Sequence, residues 1–236
     1  MTPTRLFLVR HGATQRTAED RFSGDVGVDL SEEGRKQAAL LGERLRNEAL
    51  TALYCSPLSR AVETASIIAG SCALAIEKRD GLREIRHGRW EGLTRHEVEA
   101  RHPEEYAAWE EDPFTFAPEG GESGVAVLAR ALPVFREIVT RHTGERVLVI
   151  SHKATIRLVL SSLLGFDPRG YRDRLDQAPA CVNVLDFRDP VRARLMLFND
   201  TSHYADHPRA AGQNLSAWWD GSGSTEPARI AHKEGP

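Results

Sequence analysis

Leu6-Phe7-Leu8-Val9-Arg10-His11-Gly12 is the stretch on which the fold turns: four apolar residues, then a cation, an imidazole and a glycine. A short apolar run bounded by charge reads as a strand buried on both faces, the kind found in α/β sheets. In such sheets ligands gather at the carboxyl edge of the strands, so chemistry is expected at Arg10 and His11. The same arrangement returns at Val147-Leu148-Val149-Ile150-Ser151-His152, where an apolar run again ends in a histidine. KATIRLVLSSLLG follows it and reads as an amphipathic helix ending at Gly165.

Outward from these two runs, strand and helix alternate. SEEGRKQAALLGERLRNE opens at Ser31 with a capping residue and two acids suited to a helix N-terminus, and sets Ala38, Leu41 and Leu45 on one face. Ala52-Leu53-Tyr54-Cys55 reads as a strand, Ser56-Pro57 as the next helix start and Gly70 as its stop. Residues 94–111 and 123–142 carry further helical patterns on either side of DPFTFAPEGGES, read as a loop over the core. Cys181 to Phe187 and Arg194 to Phe198 read as late strands around a turn at Asp189-Pro190, which makes the sheet mixed. The expected organisation is one catalytic domain over 1–198 and a weakly packed or partner-dependent tail over 199–236, despite Trp218 and Trp219.

Composition narrows the function classes. Thirty-one Lys plus Arg against thirty-four Asp plus Glu leave a formal charge of −3, so the field of the whole chain favours neither nucleic acid nor an acidic membrane. Any anion site must be local. Cys55, Cys72 and Cys181 are odd in number and show no C-x-x-C pairing, which argues against a disulfide framework and a cysteine zinc site. With no apolar run of signal or membrane-span length, a cytoplasmic location is expected. A second copy of the chain is left open as a partner.

A lone Arg-His-Gly is weak evidence, because a satisfied buried histidine and a surface arginine are the simpler explanation of it. Two histidines on one sheet edge are stronger. Arg60, in the first turns after Ser56-Pro57, would bring a second guanidinium there. Guanidinium forks match phosphate oxygens and helix N-terminal N–H groups favour anions, so the set reads as a phosphate pocket. Other charged residues have simpler readings: Glu32 and Glu33 as a helix first turn, Glu63 as a solvated face, and His203 with His207 as tail residues rather than metal ligands.

LVRHGAT (8–14), DLSEEGRKQA (29–38), YCSPLSRAVETA (54–65), LREIRHGRWEG (82–92), PEGGES (118–123) and VLVISHKATIR (147–157) together resemble the histidine phosphatase superfamily, which includes cofactor-dependent phosphoglycerate mutases and many small phosphatases. The resemblance implies a phosphoglycerate mutase-like three-layer α/β/α sandwich with a mostly parallel mixed sheet. It implies that His11 is phosphorylated, that Arg10, Arg60 and His152 hold the phosphoryl group, and that Glu84 donates a proton. It calls for no cofactor and no metal: a neutral imidazole attacks without a separate base, and water later clears the adduct. A glutamate keeps its proton at neutral pH only when buried or beside an anion, which a bound phosphate supplies.

The sequence departs from the family pattern at three places. Thr17 stands where an Asn commonly contacts the phosphate, Ser23 precedes Gly24 where a Gln is common, and Lys153 follows His152 in place of Gly. Thr17, Ser23, Gly24, Arg86 and Lys153 are the expected substrate-binding residues, with a second anionic group on the substrate as the expected partner of Lys153. The expected activity is metal-independent hydrolysis of a small phosphorylated metabolite of the sugar phosphate or phosphoglycerate type. A phosphoglycerate mutase and a protein phosphatase acting on phosphohistidine or phosphotyrosine are the alternatives, and Trp90 in the fourth block favours the phosphatase branch.

Overall fold

The structure, a computed structural model, describes residues 2–17 and 21–205. Its strands are β1 (Thr4–Arg10), β2 (Ala52–Cys55), β3 (Ile76–Lys78), β4 (Arg146–Ser151), β5 (Val182–Phe187) and β6 (Ala193–Asp200). Its helices are α1 (Glu32–Leu45), α2 (Ser59–Cys72), α3 (Arg95–Arg101), α4 (Pro103–Glu111), α5 (Gly124–Arg141), α6 (Lys153–Leu164) and α7 (Tyr171–Arg174).

The strands form one sheet in the order β3-β2-β4-β1-β5-β6. β3, β2, β4 and β1 run parallel, and β5 is antiparallel to both β1 and β6, so the sheet is mixed. Alternation along the strands separates the layers. Leu6 and Leu8 of β1, with Val147 and Val149 of β4, pack against Phe135 of α5 and Ile156 and Val159 of α6. Phe7 and Val9, with Leu148 and Ile150, pack against Leu41 of α1 and Ala61, Ala65 and Ile68 of α2. Because successive strand side chains point to opposite faces, a strand apolar at every position must be covered on both sides. The result is the three-layer α/β/α sandwich, each fully buried aliphatic side chain stabilising it by roughly 1.5–3 kcal/mol. A smaller aromatic cluster of Phe22, Trp90, Tyr106 and Trp109 joins α4 to the loops ahead of α1 and α3.

β1 and β4 are neighbours in register, with Arg10 opposite Ser151. Both strands therefore end at one place on the carboxyl edge, and the histidine after each strand enters the same site.

Local boundaries differ from the sequence expectation for identifiable reasons. The helical pattern over 94–111 is two helices, because Pro103 disfavours helical backbone at His102 and restarts the chain as the first residue of α4. Gly70 does not stop α2; the left-handed position falls at Ala73, φ 53°, whose N–H closes the last turn on the Ala69 carbonyl. α2 starts at Ser59 rather than at Pro57. β3 was not expected, since its three residues are too short to show a period. β6 runs on to Asp200 and Tyr204 donates to the Pro179 carbonyl at 2.6 Å, so ordered chain passes the expected boundary at 198. The rest of the expected tail, with His207, Trp218 and Trp219, lies outside the described residues.

Candidate active site

The loop after β1 is built around close backbone packing. A Cβ on Gly12 would lie 2.5 Å from the Gly34 carbonyl oxygen, so the first turn of α1 sits directly on this loop. Ser31 caps α1 by accepting from the Gly34 N–H at 3.1 Å, and its own N–H donates to the Ala13 carbonyl at 2.9 Å. Gly12 N–H donates to Thr64 Oγ1 and Ala13 N–H to Gln37 Oε1, which ties the loop to α2 and α1.

His11 is 5% exposed and its tautomer follows from its partners. Nδ1 lies 2.7 Å from the Gly12 carbonyl oxygen, which only accepts, so Nδ1 carries the hydrogen. Nε2 then holds a lone pair, and Arg60 Nε donates to it at 3.2 Å. Burial, then the charges of Arg60 and Arg10, push the His11 imidazole well below its ordinary value near 6.5. Arg60 is pinned from behind by the Gly24 carbonyl at 2.7 Å and the Val26 carbonyl at 3.0 Å. Gly24 has φ +35° and a Cβ there would meet the Glu91 carboxylate, so glycine is required where the loop presents its carbonyl to Arg60.

His152 lies beside His11, with ring centroids 5.1 Å apart. It is fully buried and neither ring nitrogen has a hydrogen-bond partner among the described residues. Burial, Arg60, His11 and Arg10 together hold it neutral. Arg10 Nη1 donates to the Gln177 carbonyl at 2.6 Å, while its buried Nε is unmatched. The unmatched Arg10 Nε and His152 ring, beside the Arg60 guanidinium, form an arrangement able to bind an anion. Glu84 sits at the N-terminus of α6, where its carboxylate accepts the N–H groups of Ala154 and Thr155, both at 3.1 Å, and that of Ile85 at 3.0 Å.

Arg10, His11, Arg60 and Glu84 open into a cavity of about 910 Å³ that Thr17, Ser23, Gly24 and Lys153 also line, and His152 is buried behind His11. Thr17 Oγ1 accepts from the Thr14 N–H at 3.0 Å and so shapes the loop as well as the cavity wall. Arg86 is not brought to this cavity: its side chain is 54% exposed, 3.8 Å from Glu122, and it faces a separate shallow depression. Its neighbour His87 takes the inner position, edge-on to Phe22 at 4.7 Å between centroids, and burial holds it down to about 4. Arg89 pairs with Glu105 and Glu119 on the surface. Lys153 acts on Asp176: against the effect of burial, the Lys153, Arg157 and Arg10 charges and the Gln177 N–H keep that carboxyl below its usual range.

Sequence reasoning missed Arg157 and Arg172, both under a tenth exposed and both lining the cavity. Arg157 was visible as a lone cation in the apolar run TIRLVL, four residues after Lys153 and so on the same helical face. Arg172 had no such signal, since its place depends on α7 folding against Trp109, over whose ring it lies at 4.2 Å. Among the described residues no group of three His, Cys, Asp or Glu could hold a metal ion, and no helix is long and apolar enough to cross a membrane.

A family model for the histidine phosphatase superfamily (branch 1) matches residues 6–201. Phosphoserine phosphatase 1 of Hydrogenobacter thermophilus is 39% identical over 163 residues, 69% of this chain and 77% of that protein. A glucosyl-3-phosphoglycerate phosphatase of Mycolicibacterium vanbaalenii is 35% identical over 172 residues, 70% of this chain and 76% of that one. The solved structure of Bacillus stearothermophilus YhfR superposes with a TM-score of 0.79 at 32% identity, covering 85% of this chain and 98% of that one. The chain spans about half, 55%, of three longer mycobacterial relatives at 36% identity. The chain belongs to the histidine phosphatase superfamily. Within it, this protein is a phosphoric monoester hydrolase.

Proposed function

We propose that this chain hydrolyses a small phosphorylated metabolite through a phosphohistidine formed on His11. The observation that carries the reading is the state of that one imidazole: Nδ1–H is fixed on the Gly12 carbonyl and the Nε2 lone pair faces Arg60. A nucleophile prepared in this way needs neither a base nor a resident metal.

In the first step Nε2 of His11 attacks phosphorus in line with the ester oxygen. The P–O bond breaks as the N–P bond forms, and its electron pair leaves with the alcohol oxygen, which takes a proton from the Glu84 carboxyl. Arg10, Arg60 and His152 surround the equatorial oxygens, where charge must be stabilised throughout. Phosphorylated on Nε2 and still protonated on Nδ1, the ring becomes an imidazolium, and the Gly12 carbonyl 2.7 Å away favours that charge. In the second step water attacks phosphorus, gives its proton to the Glu84 carboxylate and frees His11.

A cavity of about 910 Å³ admits a phosphorylated sugar or hydroxy acid with room beyond the phosphoryl group. Two relatives are named for phosphoserine and for glucosyl-3-phosphoglycerate, both phosphate esters of a three-carbon acid, which supports a substrate of the phosphoglycerate type. The test is a panel of phosphorylated metabolites and phosphopeptides, assayed for phosphate release with chelator present. Release from small metabolites that persists in chelator is the expected result. Release from phosphopeptides alone, or activity that disappears with chelator and returns with a divalent cation, contradicts the reading.

A further inference from the structure

We propose that Arg157 is a specificity-determining residue that takes a carboxylate on the leaving alcohol, so that phosphorylated hydroxy acids are preferred to esters of neutral alcohols. The proposal deepens the phosphohistidine reading and rests on it.

Arg157 stands in α6 among Ile156, Leu158, Val159 and Leu160, all fully buried, and is itself 6% exposed while lining the cavity. A guanidinium in such a place is costly unless its N–H groups are matched. Its charge meets one carboxylate, Asp176, through a single Nη2 contact of 3.3 Å, and Nε is buried with no hydrogen-bond partner among the described residues. Arg172, about as buried and lining the same cavity, differs in being occupied: Glu110 accepts at 3.1 Å, Asp173 at 3.2 Å, and the Trp109 ring lies beneath it. Arg60 has a partner on each of its three nitrogens. Arg10 shares the unmatched Nε, but it belongs to the phosphoryl pocket around His11. Among the described residues, Arg157 is thus a buried cavity arginine, outside that pocket, whose fork is half used.

Its place on α6 gives the half-used fork a direction. The first turn of α6 holds Glu84 through the Ala154 and Thr155 N–H groups, and Arg157 follows a turn further along. Glu84 must lie at the leaving oxygen, so the next turn of the same helix borders the carbon chain attached to that oxygen. In a phosphorylated hydroxy acid the carboxylate sits one or two carbons along that chain. The neighbouring Asp176 selects for a monoanion: a second phosphate dianion would face its carboxylate, whereas a carboxylate needs only the free edge of the fork. Lys153, one turn before Arg157, also holds the Asp176 carboxyl down, so two cations of the same helical face act on that one carboxylate.

The experiment compares kcat/KM of the full chain on 3-phosphoglycerate and phosphoserine with that on glycerol 3-phosphate and phosphoethanolamine, which lack the carboxylate. The wild type is expected to favour the acids at least tenfold. Arg157→Gln should lower kcat/KM on the acids by about ten- to a hundredfold, chiefly through KM, with a far smaller loss on the alcohols. Arg157→Lys should recover part of the preference. Equal losses on both classes, a wild type without preference, or a sugar bisphosphate as the favoured and most affected substrate each overturn the role of Arg157. The wild-type comparison decides even if the Gln variant does not fold. Phosphate release from neither class instead overturns the phosphohistidine reading beneath it.

Discussion

In the proposed reaction Glu84 is the residue whose chemistry has to change most. Between substrates its carboxylate accepts three backbone N–H groups and the Thr155 hydroxyl at 3.3 Å, so it is positioned before any ligand arrives. Donating to an alkoxide then matters only when the leaving group is poor. Glu84→Gln should therefore lower kcat on alkyl phosphates by on the order of a hundred- to ten-thousand-fold and affect aryl phosphates with good leaving groups far less. A leaving-group series measured on both proteins checks this, and parallel losses across the series would count against the acid role. Arg86 and Lys153 show what residue identity could not convey. Both are cations in blocks that carry the family resemblance, yet one lies near Glu122 at the surface and the other lines the cavity, where its charge holds the Asp176 carboxyl down. Charge was legible; direction depended on how each backbone leaves its turn.

The loop after β1 and the first turn of α1 act as one unit, because Gly12 and Gly34 leave no room between them. A Cβ on Gly34 would come within 2.0 Å of the Ala13 carbonyl oxygen. Gly12→Ala must therefore push α1 away from the loop, and an overpacked contact of this kind costs about 1–3 kcal/mol. Thermal unfolding should show that loss, and kcat should fall with it because the neighbouring His11 shifts. Ser31→Ala removes only the cap, at about 1 kcal/mol, and should lower the melting temperature with little effect on kcat. If Gly12→Ala proved no more damaging than Ser31→Ala, the close packing would not be what holds the loop. Elements with long periods were read well from the sequence: α1 begins after Ser31, and α6 ends before Gly165 as expected. β3 and the break at His102 were not, since a three-residue strand and a proline inside an apolar pattern acquire meaning only from their neighbours.

At the scale of the whole molecule, the site imposes a pH dependence on stability. The folded chain keeps His11 and His152 neutral by burial and neighbouring arginines, whereas the unfolded chain protonates them near ~6.5. Below that pH the unfolded state binds more protons, so stability falls as pH falls, by on the order of 1.4 kcal/mol per pH unit for each histidine held fully neutral. Melting temperatures should be level between about pH 8 and 7 and decline from about pH 6.5 to 5, above the range where carboxylates titrate. His87, held down by burial, adds to the same decline, so a flat profile there would mean that all three rings take up protons in the fold. The sheet edge that gathers these rings was legible because both histidines end apolar runs, and register then places β1 beside β4. Arg172 and the aromatic wall were not, because α4 and α7 meet only in three dimensions. The central claim is the covalent intermediate, and rapid quench in base with substrate labelled at phosphorus, followed by peptide mapping, tests it most directly. A phosphoryl group that is stable in base, labile in acid, located on His11, and formed and lost at least as fast as turnover is the expected result. Normal turnover by His11→Ala, or an adduct on any other residue, would contradict it.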